Sequence, residues 1–192
     1  MPRSRISSIK LIFAVCAALD WEDFLADVSG AYTLAKKKEA GVGSTTYVRQ
    51  PQGFEQFGPN GEQMVGVLDY YLYGDPAAGR EWQAMFRDVL KKELGAEADD
   101  VDPNLWKIVN DVGHAIFATH VDEMVGAADT PAMRDWVEEK LKAALPISTF
   151  EAWSTVLGYG VRRDRSKREV RVNATKVIDD MFAARFPEEV SK

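Results

Sequence analysis

Apolar residues recur at helical spacing in three stretches of the chain. Trp82, Met85, Phe86, Val89, Leu90 and Leu94 make one stripe, which stops at Gly95, a residue suited to a helix C-terminus. Met133, Trp136, Val137, Leu141 and Ala144 make a second, opened by Thr130-Pro131 and closed by Pro146. Val177, Ile178, Met181, Phe182 and Phe186 make a third. All three read as core faces without chemistry. A continuous apolar run from Leu11 to Leu19 predicts a buried helix, followed at once by Asp20-Trp21-Glu22-Asp23. Elsewhere the pattern favours strands. Two short apolar runs within Ala115 to Gly126 enclose Asp122 and Glu123, which predicts a β-hairpin with both acids at or beside its turn. Strand pieces are expected at Tyr47-Val48 and Met64-Val65, inside a Gly-rich stretch from Lys36 to Gly66. Asp164-Arg165-Ser166-Lys167 reads as a turn between two further strand pieces.

Composition narrows the class. A chain of 192 residues with 46% hydrophobic content can bury a core and is too short for two full-sized domains. Its single cysteine, Cys16, cannot form an internal disulfide, which favours an intracellular setting, cytoplasm or nucleus. No apolar run has the length of a membrane span, so no membrane partner is expected. Arg3 and Arg5 before the apolar run imitate a signal peptide, and a secreted domain stays open as an alternative. Lys and Arg number 24 against 30 Asp and Glu, for a net charge of −6. A protein that grips nucleic acid by its phosphates needs a basic face, and the densest basic run is Arg162, Arg163, Arg165, Lys167, Arg168 and Arg171. That run fits a contact with a nucleic-acid backbone or a solvated hairpin.

The acidic pair carries the sharpest chemical signal. Carboxylates between apolar runs are costly unless something binds them, and a divalent metal is one occupant; a solvated turn is the other reading. About a hundred residues upstream, Asp27 stands alone in the neutral stretch Phe24 to Tyr32, a third carboxylate on a separate element. Nucleotidyl transfer by two metals uses acidic ligands from separate elements to hold ions roughly 3.5–4 Å apart. Other chemistries find little support. With two histidines, His114 and His120, and one cysteine, a zinc site of four His or Cys ligands cannot be built, and there is no P-loop.

Several further strings occur in one order. Arg5 to Leu11 is followed by Ala26-Asp27-Val28 with Ala31-Tyr32, then by Tyr47-Val48-Arg49-Gln50-Pro51-Gln52-Gly53-Phe54-Glu55. Leu72-Tyr73-Gly74 with Arg80 and Trp82 comes next, then Asp102-Pro103-Asn104-Leu105-Trp106, Val121-Asp122-Glu123 and Leu157-Gly158. Over nearly its whole length the chain thereby resembles the reverse transcriptase domain of copia-type retrotransposons. The strings match that family's palm entry, LDVxxAF, YMxQPxGFE, LYGLKQAPRAW, DPSLY, YVDD and FLGI, in that sequence.

The resemblance implies an α+β palm, a small antiparallel sheet packed on helices, with the fingers largely missing. It implies one domain over 1–192, with 36–66 as a loop-rich, fingers-like insertion and 155–192 as a strand hairpin and helix leading toward the thumb. It implies RNA-directed DNA polymerase activity by two-metal nucleotidyl transfer, with two Mg2+ (or Mn2+) ions held by Asp27, Asp122 and Glu123. Tyr32 would be the aromatic gate against the 2′-hydroxyl, Tyr73 and Gly74 would line the nucleotide pocket, and Arg162, Arg163 and Arg165 would meet primer-template. Expected partners are an RNA or DNA template-primer, deoxynucleoside triphosphates, and the fingers, RNase H or integrase parts of a polyprotein. The departures define the alternative, a degenerate or domesticated palm without turnover that binds nucleic acid or protein. His120 and Glu123 replace the tyrosine and second aspartate of YVDD, and Asp75 to Gly79 replaces LKQAP. The family's basic fingers segment, which precedes the palm entry, is expected to be absent.

Overall fold

The structure, a computed structural model, describes residues 4–37 and 45–185. In chain order the elements are α1 (Ile6–Leu19), β1 (Glu22–Val28), α2 (Ala31–Leu34), β2 (Tyr47–Arg49), β3 (Val65–Val67), α3 (Ala78–Leu94), β4 (Glu97–Ala98) and β5 (Leu105–Val109). These are followed by β6 (His114–His120), β7 (Glu123–Ala128), α4 (Pro131–Ala144), β8 (Ile147–Glu151), β9 (Thr155–Val156), β10 (Tyr159–Asp164), β11 (Glu169–Asn173) and α5 (Thr175–Arg185). The chain separates into two compact units, Met1–Ser29 with Arg87–Lys192, and Gly30–Phe86.

The larger unit is built on a six-stranded sheet in the order β4-β5-β6-β7-β1-β8, with every pairing antiparallel. Alternation along the strands gives it two apolar faces. On one, Leu25, Ala118, Val125 and Ala127 pack with Ile9, Ile12 and Cys16 of α1 and with Val156 and Val161 of a second sheet, β11-β10-β9. On the other lie Phe24, Phe117 and Gly126, directly opposite one another in three adjacent strands. Phe150 stacks on Phe24 at 5.3 Å and Arg134 of α4 lies 5.0 Å from the Phe150 ring, which places α4 on this second face.

A glycine between two phenylalanines has a steric reason. A Cβ on Gly126 would lie 2.2 Å from Cζ of Phe24 and 2.7 Å from Cβ of Phe117, so the rings close over the bare backbone. Gly126→Ala is expected to lower stability by about 1–3 kcal/mol, as overpacking a filled core does. Urea denaturation checks this: the midpoint should fall with the slope unchanged, and an unmoved midpoint would contradict the packing account.

The helices follow the apolar stripes. Thr130 caps α4, its Oγ1 accepting the Met133 N–H at 3.1 Å, with Pro131 in the first turn. Gly95 ends α3 in the left-handed conformation at φ 62°. α1 has no side-chain cap of its own. Its N-terminus is held instead by Asp102, 4% exposed, which accepts the Arg5 N–H at 2.9 Å and the Ser8 hydroxyl at 2.5 Å. Burial pulls the Asp102 carboxyl up, and the hydrogen bonds from Ser8, Arg5 and Asn104 outweigh it and hold it low. The Asp102 to Trp106 string is thus a helix anchor as well as the start of β5.

The third stripe forms its helix but does not bury it. Among its described residues α5 buries none, and Ile178, Met181 and Phe182 are more than half exposed. Phe186 lies outside the described residues. In the smaller unit β2 and β3 pair antiparallel, Tyr47 opposite Val67 and Arg49 opposite Val65.

Candidate active site

β6 and β7 are joined by only Val121 and Asp122, between the paired His120 and Glu123. Val121 takes φ 63°, the positive value that the first position of a tight hairpin turn requires. A β-branched residue there stores strain of about 1–3 kcal/mol, which persists only where surrounding structure imposes it. The sheet imposes it here: β7 is pinned between β6 and β1, and the Val28 N–H donates to the Asp122 carbonyl at 3.0 Å. Asp27 lies directly opposite Glu123 across β1 and β7, so their side chains share one face with that of His120. The sheet therefore brings Asp27 to the adjacent pair Asp122 and Glu123, distant from it in the chain, at one strand end.

The carboxylates have different partners. Oδ2 of Asp27 accepts from the Ser148 hydroxyl at 2.8 Å. Oε1 of Glu123 accepts from the Leu157 N–H at 3.2 Å. That donor is aimed by a two-residue turn between β9 and β10, where Leu157 and Gly158 both take positive φ, 48° and 82°. Burial pushes the Glu123 carboxyl up, the Leu157 bond opposes this, and the negative charges of Asp27 and Asp122 add to the rise. No lysine or arginine among the described residues pairs with any of the three.

Glu123 titration has a defined sign. A carboxyl raised in the folded state contributes stability fully present below the ordinary glutamate value, here 4.5, and lost as pH rises through the folded value. The ionised form of the group is therefore the destabilising one. Glu123→Gln is expected to raise the melting temperature at pH 7 by about 2–4 °C, the change that about 1 kcal/mol makes in a domain of this size, since solvent screens part of the charge. The gain should vanish as pH falls below 4.5. Melting curves across pH test it, and equal curves at pH 7 would contradict the crowding of the three charges.

The donor set suits a hard cation such as Mg2+, which takes oxygen ligands. Among the described residues no group of three or more His, Cys, Asp or Glu is arranged as a metal cage. Mg2+ is usually held by one or two carboxylates together with water and substrate phosphates, and Asp27, Asp122 and Glu123 suit that role, since the hydrogen bonds from Ser148 to Asp27 and from Leu157 to Glu123 each fall on one oxygen of the two.

The nucleotide-side expectations fall in the smaller unit. There Tyr32 and Tyr73 pack ring to ring at 4.8 Å, and Gly74 follows at φ 95°. Asp75, one of the departures from LKQAP, pairs with Lys37 at 2.7 Å and accepts the Ala77 N–H at the start of α3. The Lys37 hydrogen bond, joined by that from Ala77, holds the Asp75 carboxyl below its ordinary value.

The three arginines divide. Arg163 is 9% exposed and donates to Asp23 and Asp20, each at 2.7 Å. Arg165 pairs with Glu22. Arg162 is exposed. With Arg134 the three line an open cleft of about 600 Å³, but Glu22, Asp23 and Asp135 line it too, so four cations meet three carboxylates there.

Antiparallel sheets packed on helices, with acids gathered at a strand end, are compatible with a polymerase-like domain. A family model described as reverse transcriptase (RNA-dependent DNA polymerase) matches residues 1–183, and the chain belongs to that family. No curated protein matches it. The family acts on nucleic acid. Among the described residues no helix is long and apolar enough to cross a membrane.

Proposed function

We propose that this chain is the RNA-directed DNA polymerase domain of a copia-type retroelement, with the six-stranded sheet, α1 and α4 as its palm. The observation that carries the reading is the strand-end constellation: Asp27 opposite Glu123, with Asp122 tied through its carbonyl to Val28. The order of the copia-like strings supports the subfamily. In this reading Asp27 and Asp122 would hold two Mg2+ or Mn2+ ions, with Glu123 assisting one of them. The chemistry supplied there would be activation of a primer 3′-hydroxyl and stabilisation of the charge on a departing pyrophosphate. The chain supplies Asp27 from a paired strand and Asp122 from a two-residue turn held to β1 by the Val28 N–H, which limits drift in a geometry where about 1 Å of misplacement costs about 10²-fold in rate. Tyr32, with Tyr73 beside it, discriminates the sugar of the incoming nucleotide, and Arg162 meets the primer-template backbone.

Calorimetric titration with Mn2+ and Mg2+ tests the ligand assignment. Binding should be present in the wild-type chain and lost in the Asp27→Ala, Asp122→Ala double variant; binding that survives both changes would overturn it. One observation favours a second reading, a palm that binds nucleic acid without turnover: Glu123 is already engaged by the Leu157 N–H. Carboxylate-dependent metal binding without primer extension would select that reading.

A further inference from the structure

Strand alternation should turn Ser148 away from Asp27. In β8, Thr149 lies opposite Asp27 and Ile147 opposite Val28, so one step along β1 is matched by two along β8. Ser148 is the extra residue of a β-bulge, and bulges beside functional sites re-aim side chains that regular pleating would send to the other face. Here the hydroxyl is brought to Asp27, 2.8 Å from Oδ2 and 3.2 Å from the carbonyl oxygen. A hydroxyl has one proton to donate, and the shorter contact, to the charged acceptor, is the stronger bond. The Ser29 N–H donates to the Pro146 carbonyl at 2.9 Å, which ties the chain just after β1 to the segment entering β8.

We propose that Ser148 is a positioning residue for the metal-ligating carboxylate: its hydroxyl fixes the rotation of the Asp27 carboxylate by holding Oδ2, which leaves Oδ1 as the oxygen presented to a divalent cation. This rests on the assignment of Asp27 as a ligand. Carboxylates that ligate metals are commonly oriented by such outer hydrogen bonds, and removing one typically costs about 10–100-fold in metal affinity. Ser148 is exposed and on an edge strand of the six-stranded sheet, so its hydroxyl has little to do for the fold.

The test is calorimetric titration of the full chain with Mn2+, run with melting curves, for wild type, Asp27→Ala, Ser148→Ala, Ser148→Thr and Ser148→Val. Expected are loss of binding in Asp27→Ala and about tenfold or greater weakening in Ser148→Ala with an unchanged melting temperature. Threonine and valine have the same shape and differ in the hydroxyl, so Ser148→Thr should bind like wild type and Ser148→Val like Ser148→Ala. This pair decides the matter even if the alanine variant folds poorly. Wild-type affinity in a folded Ser148→Val, with binding lost in Asp27→Ala, overturns the positioning role and leaves Asp27 as a ligand. Undiminished binding in Asp27→Ala overturns the assignment beneath it, and the inference with it.

Discussion

Asp122→Asn is expected to reduce template-directed nucleotide incorporation by about 10³-fold or more without disturbing the fold. The magnitude follows from the several kcal/mol of charge stabilisation that a bound cation supplies, at about 1.4 kcal/mol for each factor of ten. The fold should be indifferent for a geometric reason. What ties Asp122 to β1 is its backbone carbonyl, which accepts the Val28 N–H at 3.0 Å, and the strained turn is set by Val121. Asparagine keeps the size and the backbone and removes the charge. Circular dichroism should superimpose on wild type and the melting temperature should not fall, while incorporation disappears. A well-folded Asp122→Asn chain with undiminished incorporation would remove Asp122 from the site.

Arg163→Met is expected to cost about 3–5 kcal/mol, a fall in melting temperature on the order of 10 °C. Its guanidinium bridges Asp20, which ends α1, and Asp23 in β1, and it also reaches the Cys16 carbonyl at 3.4 Å. Asp23 is equally enclosed, 10% exposed, and its other oxygen accepts the Trp153 N–H at 2.7 Å. Removing the arginine leaves that carboxylate uncompensated, which is far more costly than losing a surface pair. Arg163→Lys should recover only part of the loss, because an ammonium cannot span two carboxylates as the guanidinium fork does. If Arg163 served a nucleic-acid backbone instead, its removal would weaken binding uniformly and leave melting unchanged.

The burial of Arg163 shows where reading the chain reaches its limit. Its partner Asp23 lies 140 residues away, and a basic run reads the same whether its charges meet phosphates or the chain's own acids. The helices of Trp82 and Met133 and the hairpin around Asp122 were legible because periodicity and turn chemistry are local, and each is where the pattern places it. The stripe of Val177 is equally periodic, yet α5 is exposed, since periodicity describes a face and not what covers it. At the site, Asp27, Asp122 and Glu123 were nameable by residue type and by the family strings. Ser148 was not, because its contact depends on a register shift between β1 and β8, and the Leu157 donor is a backbone group aimed by a turn. Asp75 is a bare departure from LKQAP in the sequence, and its pairing with Lys37 gives it a structural place.

Primer extension by the full wild-type chain tests the central claim most directly, on an RNA template with deoxynucleoside triphosphates and Mg2+ or Mn2+, beside Asp27→Asn and Asp122→Asn. The account predicts extension that requires the cation and is lost in both variants. Cation-dependent extension that persists in both would contradict it, and so would a folded wild-type chain that extends no primer with either ion.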